Sequence, residues 1–130
     1  MHNYLNDLHS TIKNNWDKPA LCFFQGETIT FEGLARHIAK FQIFFDALGV
    51  KRGDKIALCA KNSNRWAVSF LAGTTYGAVV VPILSDFLPD SVNSLVDHSD
   101  SAILFTDKEI WNKLDITKMP KVKIVINPDD

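Results

Sequence analysis

The residue types that do chemistry are present in this chain, but few stand at spacings that chemistry requires. His98-Ser99-Asp100 contains the three residue types of a hydrolytic triad. A triad needs the three side chains to converge in space, and neighbours in sequence point apart. With Ala102 opening a strand, the trio reads as a helix end and a turn. Gly73-Thr74-Thr75-Tyr76-Gly77 has the composition of a phosphate-cradling loop. Such a loop presents free backbone N–H groups, usually with a lysine nearby. Here the nearest lysines in sequence are Lys61 and Lys108, and the threonines fall in the last turn of a helix, which offers carbonyls. The segment reads as a helix-to-strand turn. His2, His9, His37 and His98 have no partner at metal-ligand spacing, and His37 reads as a surface or core-edge residue beside Ile38. Cys22 and Cys59 sit in apolar runs without metal-type or redox-type spacing. They read as buried core thiols of a protein kept in a reducing compartment, the cytoplasm. Asp54 follows Gly53 in a turn and is expected to accept local N–H bonds. No Gly-x-Gly-x-x-Gly follows the first strand of the main sheet, and no Gly-x-x-x-x-Gly-Lys-Ser/Thr loop is present. Asn62, Ser63 and the Leu84-Ser85-Asp86 loop remain as candidates for a direct ligand contact, because they follow the carboxyl ends of buried strands.

The elements that position these residues follow from periodicity. Leu5, Leu8 and Ile12 give one apolar face to a helix from Tyr4 to Asn14. Ala20 to Phe24 reads as a short strand, turned by Gln25-Gly26-Glu27 into Thr28-Ile29-Thr30 to form a β-hairpin. Thr30 caps a long helix, Phe31 to Leu48, with a stripe of Phe31, Leu34, Ala35, Ile38, Phe41, Phe45 and Leu48. Gly49 is placed to end it in the left-handed conformation. Gly33 costs ~1 kcal/mol against alanine in a helix, and close packing in the first turn would explain it. Lys55 to Ala60 is a strand covered on both faces. Ser63 or Asn64 caps a helix from Arg65 to Tyr76, with Trp66, Phe70, Leu71 and Thr74 inward, closed by Gly77. Ala78 to Ile83 reads as a second buried strand, with Pro82 at its end. Pro89 opens a helix to about His98 with Val92, Leu95 and Val96 inward. Ala102 to Thr106 is a third strand, Thr106 or Asp107 caps a short helix through Leu114, and Lys121 to Ile126 is a fourth strand at an edge.

Strands alternating with helices predict an α/β fold: a three-layer, mostly parallel, doubly wound sheet with helices on both faces, plus the hairpin. Net charge is −1, with no basic stripe, which argues against nucleic acid as the main partner. Trp66 to Ser85 carries no charge, but glycines, threonines and Pro82 interrupt it, so it reads as a helix and a strand, not a transmembrane segment. No secretory signal is apparent at Met1-His2-Asn3-Tyr4. The final Asn127-Pro128-Asp129-Asp130 is a polar loop where an alternating chain would normally continue, so 130 residues read as a piece of something larger.

Four motifs stand in register: Thr30-Phe31-x-x-Leu34; Leu48-Gly49-Val50-x-x-Gly53-Asp54-x-Ile56-Ala57; Asn62-Ser63 with Trp66; and Gly77-Ala78-Val79-Val80-Val81-Pro82-Ile83. A Pro89-Asp90 helix, His98-Ser99-Asp100 and Ala102-Ile103-Leu104-Phe105 follow. Their order and spacing resemble the amino-terminal region of the adenylate-forming, AMP-binding enzymes: acyl-CoA synthetases, peptide-synthetase adenylation domains and luciferases. Asn62-Ser63-Asn64-Arg65-Trp66 and Val81-Pro82-Ile83-Leu84 look most like bacterial long-chain fatty acyl-CoA ligases. The resemblance covers nearly the whole chain, least securely residues 1–19. Gly33 departs from it, where the family often has a glutamate able to form a capping box.

The resemblance implies that residues 1–130 are the amino-terminal portion of the large adenylation domain. Residues 1–19 would be a leading helix, and residues 20–130 the hairpin and βαβ units. The full-length parent would use ATP, Mg²⁺ and coenzyme A to make an acyl adenylate from a fatty acid, then a thioester. It implies a cytoplasmic enzyme with peripheral membrane association open. The family's phosphate loop, ribose-binding aspartate, hinge and catalytic lysine come later in sequence. No catalytic, cofactor-binding or metal-ligating residue is therefore carried over to this chain, and the fragment alone is expected to be inactive, to bind no cofactor and to self-associate through an exposed apolar face. Two other readings stay open: an adenylate-forming enzyme of another class (an aryl-CoA ligase or amino-acid adenylation domain), and a complete small α/β domain that binds without catalysis.

Overall fold

The computed structural model describes residues 4–22, 28–61 and 63–127, with only the backbone of Tyr4, Leu21 and Cys22. The helix α1 (Tyr4–Asn14) precedes a two-stranded antiparallel hairpin of β1 (Pro19–Cys22) and β2 (Thr28–Thr30). The expected turn at Gln25-Gly26-Glu27 and the expected core packing of Cys22 lie outside the described residues. The long helix α2 (Phe31–Ala47) leads to β3 (Lys55–Cys59), α3 (Asn64–Tyr76) and β4 (Val79–Pro82). Then come α4 (Pro89–His98), β5 (Ile103–Thr106), α5 (Lys108–Trp111), a 3₁₀ turn (Ile116–Lys118) and β6 (Ile124–Ile126).

Strands β3 to β6 form one parallel sheet in the order β4-β3-β5-β6. From β3 the chain steps outward to β4 through α3. It then returns across β3 through α4 to reach β5, and the opposite directions of the two crossovers put their helices on opposite faces. One face packs Ile56, Leu58, Ile103 and Phe105 against Leu34, Ile38 and Phe45 of α2 and Val68 and Ala72 of α3. The other packs Ala57, Cys59 and Leu104 against Val92 and Val96 of α4, with Met119 and Val122. The doubly wound three-layer sheet expected from the alternation is the one observed.

The caps follow the sequence. Thr30 accepts the Gly33 N–H through its hydroxyl oxygen at 3.1 Å, and Gly49 leaves α2 at φ +77°. A Cβ on Gly33 would lie 3.2 Å from Ile29 Cγ2, so tight packing of the hairpin on the first turn explains this glycine. Thr30→Ala is expected to lower stability by ~1 kcal/mol, whereas Thr30→Ser keeps the acceptor. Urea midpoints of the two variants test this, and equal midpoints would show that the cap contributes nothing.

Several expectations about burial are refined or corrected. Strand β4 is an edge strand, with Val79 48% exposed; its β-branched run gives no sign of how many neighbours it has. In α3 the fully buried residues are Val68, Ser69, Ala72 and Gly73, while the expected inward Trp66, Phe70 and Leu71 pack half-buried against the same core. Small residues let α3 approach the sheet, while the Trp66 and Phe70 rings stack 5.5 Å apart at its flank. In α4, Leu95 is 40% exposed and Asn93 is buried in its place. The Asn93 Oδ1 accepts the Asp115 N–H at 3.1 Å, so a polar side chain can lie inside at no hydrogen-bond cost. The expected inward Leu48 is likewise exposed, as the C-cap of α2. The helix expected to run through Leu114 ends at Trp111, and the last strand starts at Ile124 instead of Lys121.

Candidate functional site

In an open parallel sheet, the crevice for a ligand lies outside the carboxyl ends of the strands where neighbouring connections leave toward opposite faces. Here that point is between β3 and β5, which pair Cys59 with Thr106. After β3 the chain goes to α3 on one face; after β5 it goes to α5 on the other. Asp107 holds this edge together. Its Oδ1 accepts the Ile110 N–H at 2.9 Å and caps α5, and its Oδ2 accepts the Lys61 N–H at 3.2 Å. One carboxylate thus joins the loop after β3 to the helix after β5. Lys61 Nζ reaches Glu109 at 2.7 Å on the exposed rim. The hydrogen bond holds the Glu109 carboxyl below its usual range and the Lys61 ammonium above its own.

Beneath the rim the site is closed and apolar. Cys59 is fully buried, and its Sγ lies 3.9 Å from the Leu84 carbonyl. Burial, then the Asp107 charge, raises its thiol from the ordinary 9.0 to about 11. It is therefore a protonated core thiol at neutral pH, not a nucleophile. The raised value makes the protonated form stabilise the fold; that contribution is complete below about pH 9 and is lost as pH rises through about 11. In a Cys22→Ser background, thiol titration at pH 8 is expected to be slow in the native state and complete in guanidinium. Rapid reaction of the native protein would show the thiol to be accessible. Thr106 is buried beside Cys59, and its hydroxyl has no hydrogen-bond partner among the described residues.

The other residues singled out by type are dispersed. The Ser63 hydroxyl accepts the Trp66 N–H at 3.2 Å as the cap of α3. Ser63 and the Leu84-Ser85-Asp86 loop both stand on the carboxyl side of the sheet, and Asn62 lies outside the described residues. Asp54 is at the opposite edge, accepting the Lys51 N–H at 2.8 Å, as its turn position implies. Gly73 to Gly77 is the carbonyl end of α3: Thr74 and Thr75 donate to Phe70 and Leu71 carbonyls, and Gly77 leaves at φ +98°. His37 Nδ1 stands 3.4 Å from Arg65 on the neighbouring helix. No triad forms at His98-Ser99-Asp100. The Ser99 hydroxyl bonds the Val96 carbonyl, and Asp100 pairs with Lys121, which lowers its pKa. Among the described residues no three His, Cys, Asp or Glu side chains are grouped to hold a metal ion. Asp107 and Glu109 are already engaged and are not grouped with a third acid, so these residues do not fit a Mg²⁺–nucleotide site by themselves.

The linkage of Lys61, Asp107 and Glu109 was not foreseen in the sequence, where Asp107 reads only as a helix cap. The partners are 46 and 48 residues apart. Only the β3–β5 pairing brings them together.

Comparison with known proteins identifies the class. The family model described as AMP-binding enzyme matches residues 8–130. The chain belongs to the AMP-binding enzyme family. Acetyl-coenzyme A synthetase of Yersinia pestis (strain Pestoides F) is 33% identical over 85 residues, covering 65% of this chain and 13% of that protein. The chain thus spans a small part of the length of the curated relatives it matches. Among solved structures, the anthranilate CoA ligase AuaEII in complex with anthranoyl-AMP superposes with a TM-score of 0.86 at 21% identity, covering 96% of this chain and 25% of that one. The nonribosomal peptide synthetase FmoA3 in its alpha-methyl-L-serine-AMP bound form gives 0.84 at 19% identity, covering 96% and 14%. At these identities the structures establish the shared fold. No helix among the described residues is long and apolar enough to cross a membrane.

Proposed function

We propose that this chain is the amino-terminal portion of the large domain of an ATP-dependent acid–thiol ligase, and that the acid is a long-chain fatty acid. The observation that carries the class is the family match over residues 8–130. The acyl class is supported by Asn62-Ser63-Asn64-Arg65-Trp66 and Val81-Pro82-Ile83-Leu84, which resemble the long-chain ligases. In the whole enzyme the fatty carboxylate attacks the α-phosphorus of ATP and pyrophosphate leaves. The coenzyme A thiol then attacks the acyl carbonyl and AMP leaves. Positioning and charge neutralisation dominate such a reaction, and the groups that supply them belong to sequence beyond this chain. Residues 1–130 contribute scaffold: the β3–β5 edge forms one wall of the cleft, held by Asp107. An exposed apolar rim of Val79 on β4, 48% exposed, and Leu84 and Leu88 in the loop that follows it, 65% and 74% exposed, supports burial of this side of the sheet by the remainder of the domain.

A second reading takes another acid. It is favoured by the relatives themselves, whose names specify acetate, anthranilate and an amino acid. Acid-dependent ATP–pyrophosphate exchange by the longer protein separates the readings. Exchange with palmitate well above that with acetate, anthranilate or amino acids is expected. Preference for one of the latter overturns the acyl class, and no exchange with any acid overturns the ligase reading.

A further inference from the structure

The amphipathic helix α1 does not pack its apolar face into the core. Leu5, Leu8 and Ile12 lie on one side of it and are only half-buried. They face Ile38 and Ala39 of α2 across a groove of about 590 Å³, a size typical of small-molecule sites. The floor makes no polar demand. Gln42 Nε2 donates to Thr75 Oγ1 at 2.8 Å, and the Thr75 hydroxyl donates to the Leu71 carbonyl at 2.6 Å. Lys13 is the one fixed charge in the lining among the described residues. Lys13 and His9 line it from α1, neither makes an ion pair among the described residues, and no Asp or Glu lines it there. The groove lies outside the α2–α3 layer, and among the described residues none of its lining belongs to the carboxyl edge of the sheet.

We infer that this groove binds a single amphiphile with an anionic head: a free fatty carboxylate, its chain along Leu5, Leu8, Ile12 and Ile38 and its carboxylate at Lys13 and His9. The apolar walls favour an alkyl chain. The Lys13 ammonium favours an anion over a cation, with the His9 ring nitrogens beside it for a hydrogen bond. Walls made of helices, whose backbone groups are already bonded, give an extended peptide nothing to pair with. This site is separate from the cleft in which an acid would be activated, and it rests on the groove, not on the ligase reading.

The test is photolabelling of the 130-residue chain by dodecanoate carrying a terminal diazirine, with labelled peptides read by mass spectrometry and no ATP or coenzyme A present. Label is expected on α1 and on the Ala35–Gln42 stretch of α2, displaced by dodecanoate and not by dodecyltrimethylammonium. Ala39→Trp, at an exposed position on the groove wall, is expected to abolish it. Lys13→Glu, also exposed, is expected to weaken displacement by dodecanoate roughly fivefold or more. Label elsewhere, such as on Leu84 or Leu88, overturns the inference. So does equal displacement by the cationic amphiphile, or label unchanged in Ala39→Trp with a native circular dichroism spectrum. Because no nucleotide enters the assay, its failure leaves the ligase reading standing.

Discussion

Phe45→Ala is expected to remove ~3–5 kcal/mol of stability, a large share of the ~5–15 kcal/mol of an ordinary domain and enough to unfold one at the low end of that range. Phe45 is fully buried where α2 crosses the sheet. Its ring meets Phe105 of β5 edge-on at 5.8 Å, Tyr76 of α3 edge-on at 5.5 Å and Phe41 at 6.4 Å. Three elements far apart in sequence therefore share one side chain. Truncation would leave a cavity lined by rigid rings, which cannot collapse as aliphatic side chains do. Tyr76 would also lose the ring that helps hold its hydroxyl 2.8 Å from the Val50 carbonyl. Urea unfolding followed by circular dichroism gives the answer. A shift below ~1 kcal/mol would mean the aromatic cluster relaxes freely, contrary to the packing described. Phe41→Ala, at a half-buried position, should cost distinctly less.

Gly73→Val is the second large effect, and its sign needs two terms. Replacing a glycine in the last turn of a helix gains less than ~1 kcal/mol in helix propensity. Against this, a Cβ at Gly73 would lie 2.5 Å from Val80 Cγ2, a distance real contacts do not show. Val80 is β-branched and stiff about χ1, so its methyl cannot swing aside at little cost. Either α3 lifts from β4 or the edge strand shifts, and overpacking of this kind costs ~1–3 kcal/mol. A net loss of ~1–2 kcal/mol is expected in the same assay, with Gly73→Ala smaller in the same direction. The double variant Gly73→Val, Val80→Ala should recover part of the loss. Failure to recover would place the cost somewhere other than this contact.

The sequence revealed the order of elements better than their neighbours. Thr30, Ser63, Asp107, Gly49 and Gly77 mark their helix ends because caps and left-handed residues act within one turn. Burial of β3 and β5 could be read from unbroken apolar runs. The edge position of β4 could not, since Val79-Val80-Val81 would suit a central strand equally well. Depth within α3 is hidden for a related reason: Trp66 and Phe70 reach the core as their size suggests, but approach distance puts Ser69, Ala72 and Gly73 deepest. The candidate site was the least legible part. Its carboxyl-edge location follows from alternation alone, but the Lys61–Asp107–Glu109 linkage depends on strand order, which no local pattern records.

The open side of β4 has a consequence for how copies of this chain meet. The Val79 N–H bonds Asp54 and the Ile83 N–H bonds Leu58, so the odd positions turn toward β3. The even positions, Val80 and Pro82, therefore face outward, and Pro82 has no N–H to offer. A stray strand seeking to extend the sheet would find a single amide donor, from Val80, where an ordinary edge presents several. At the end of a β-branched run, Val79-Val80-Val81, a proline in this place limits cross-β growth along the edge.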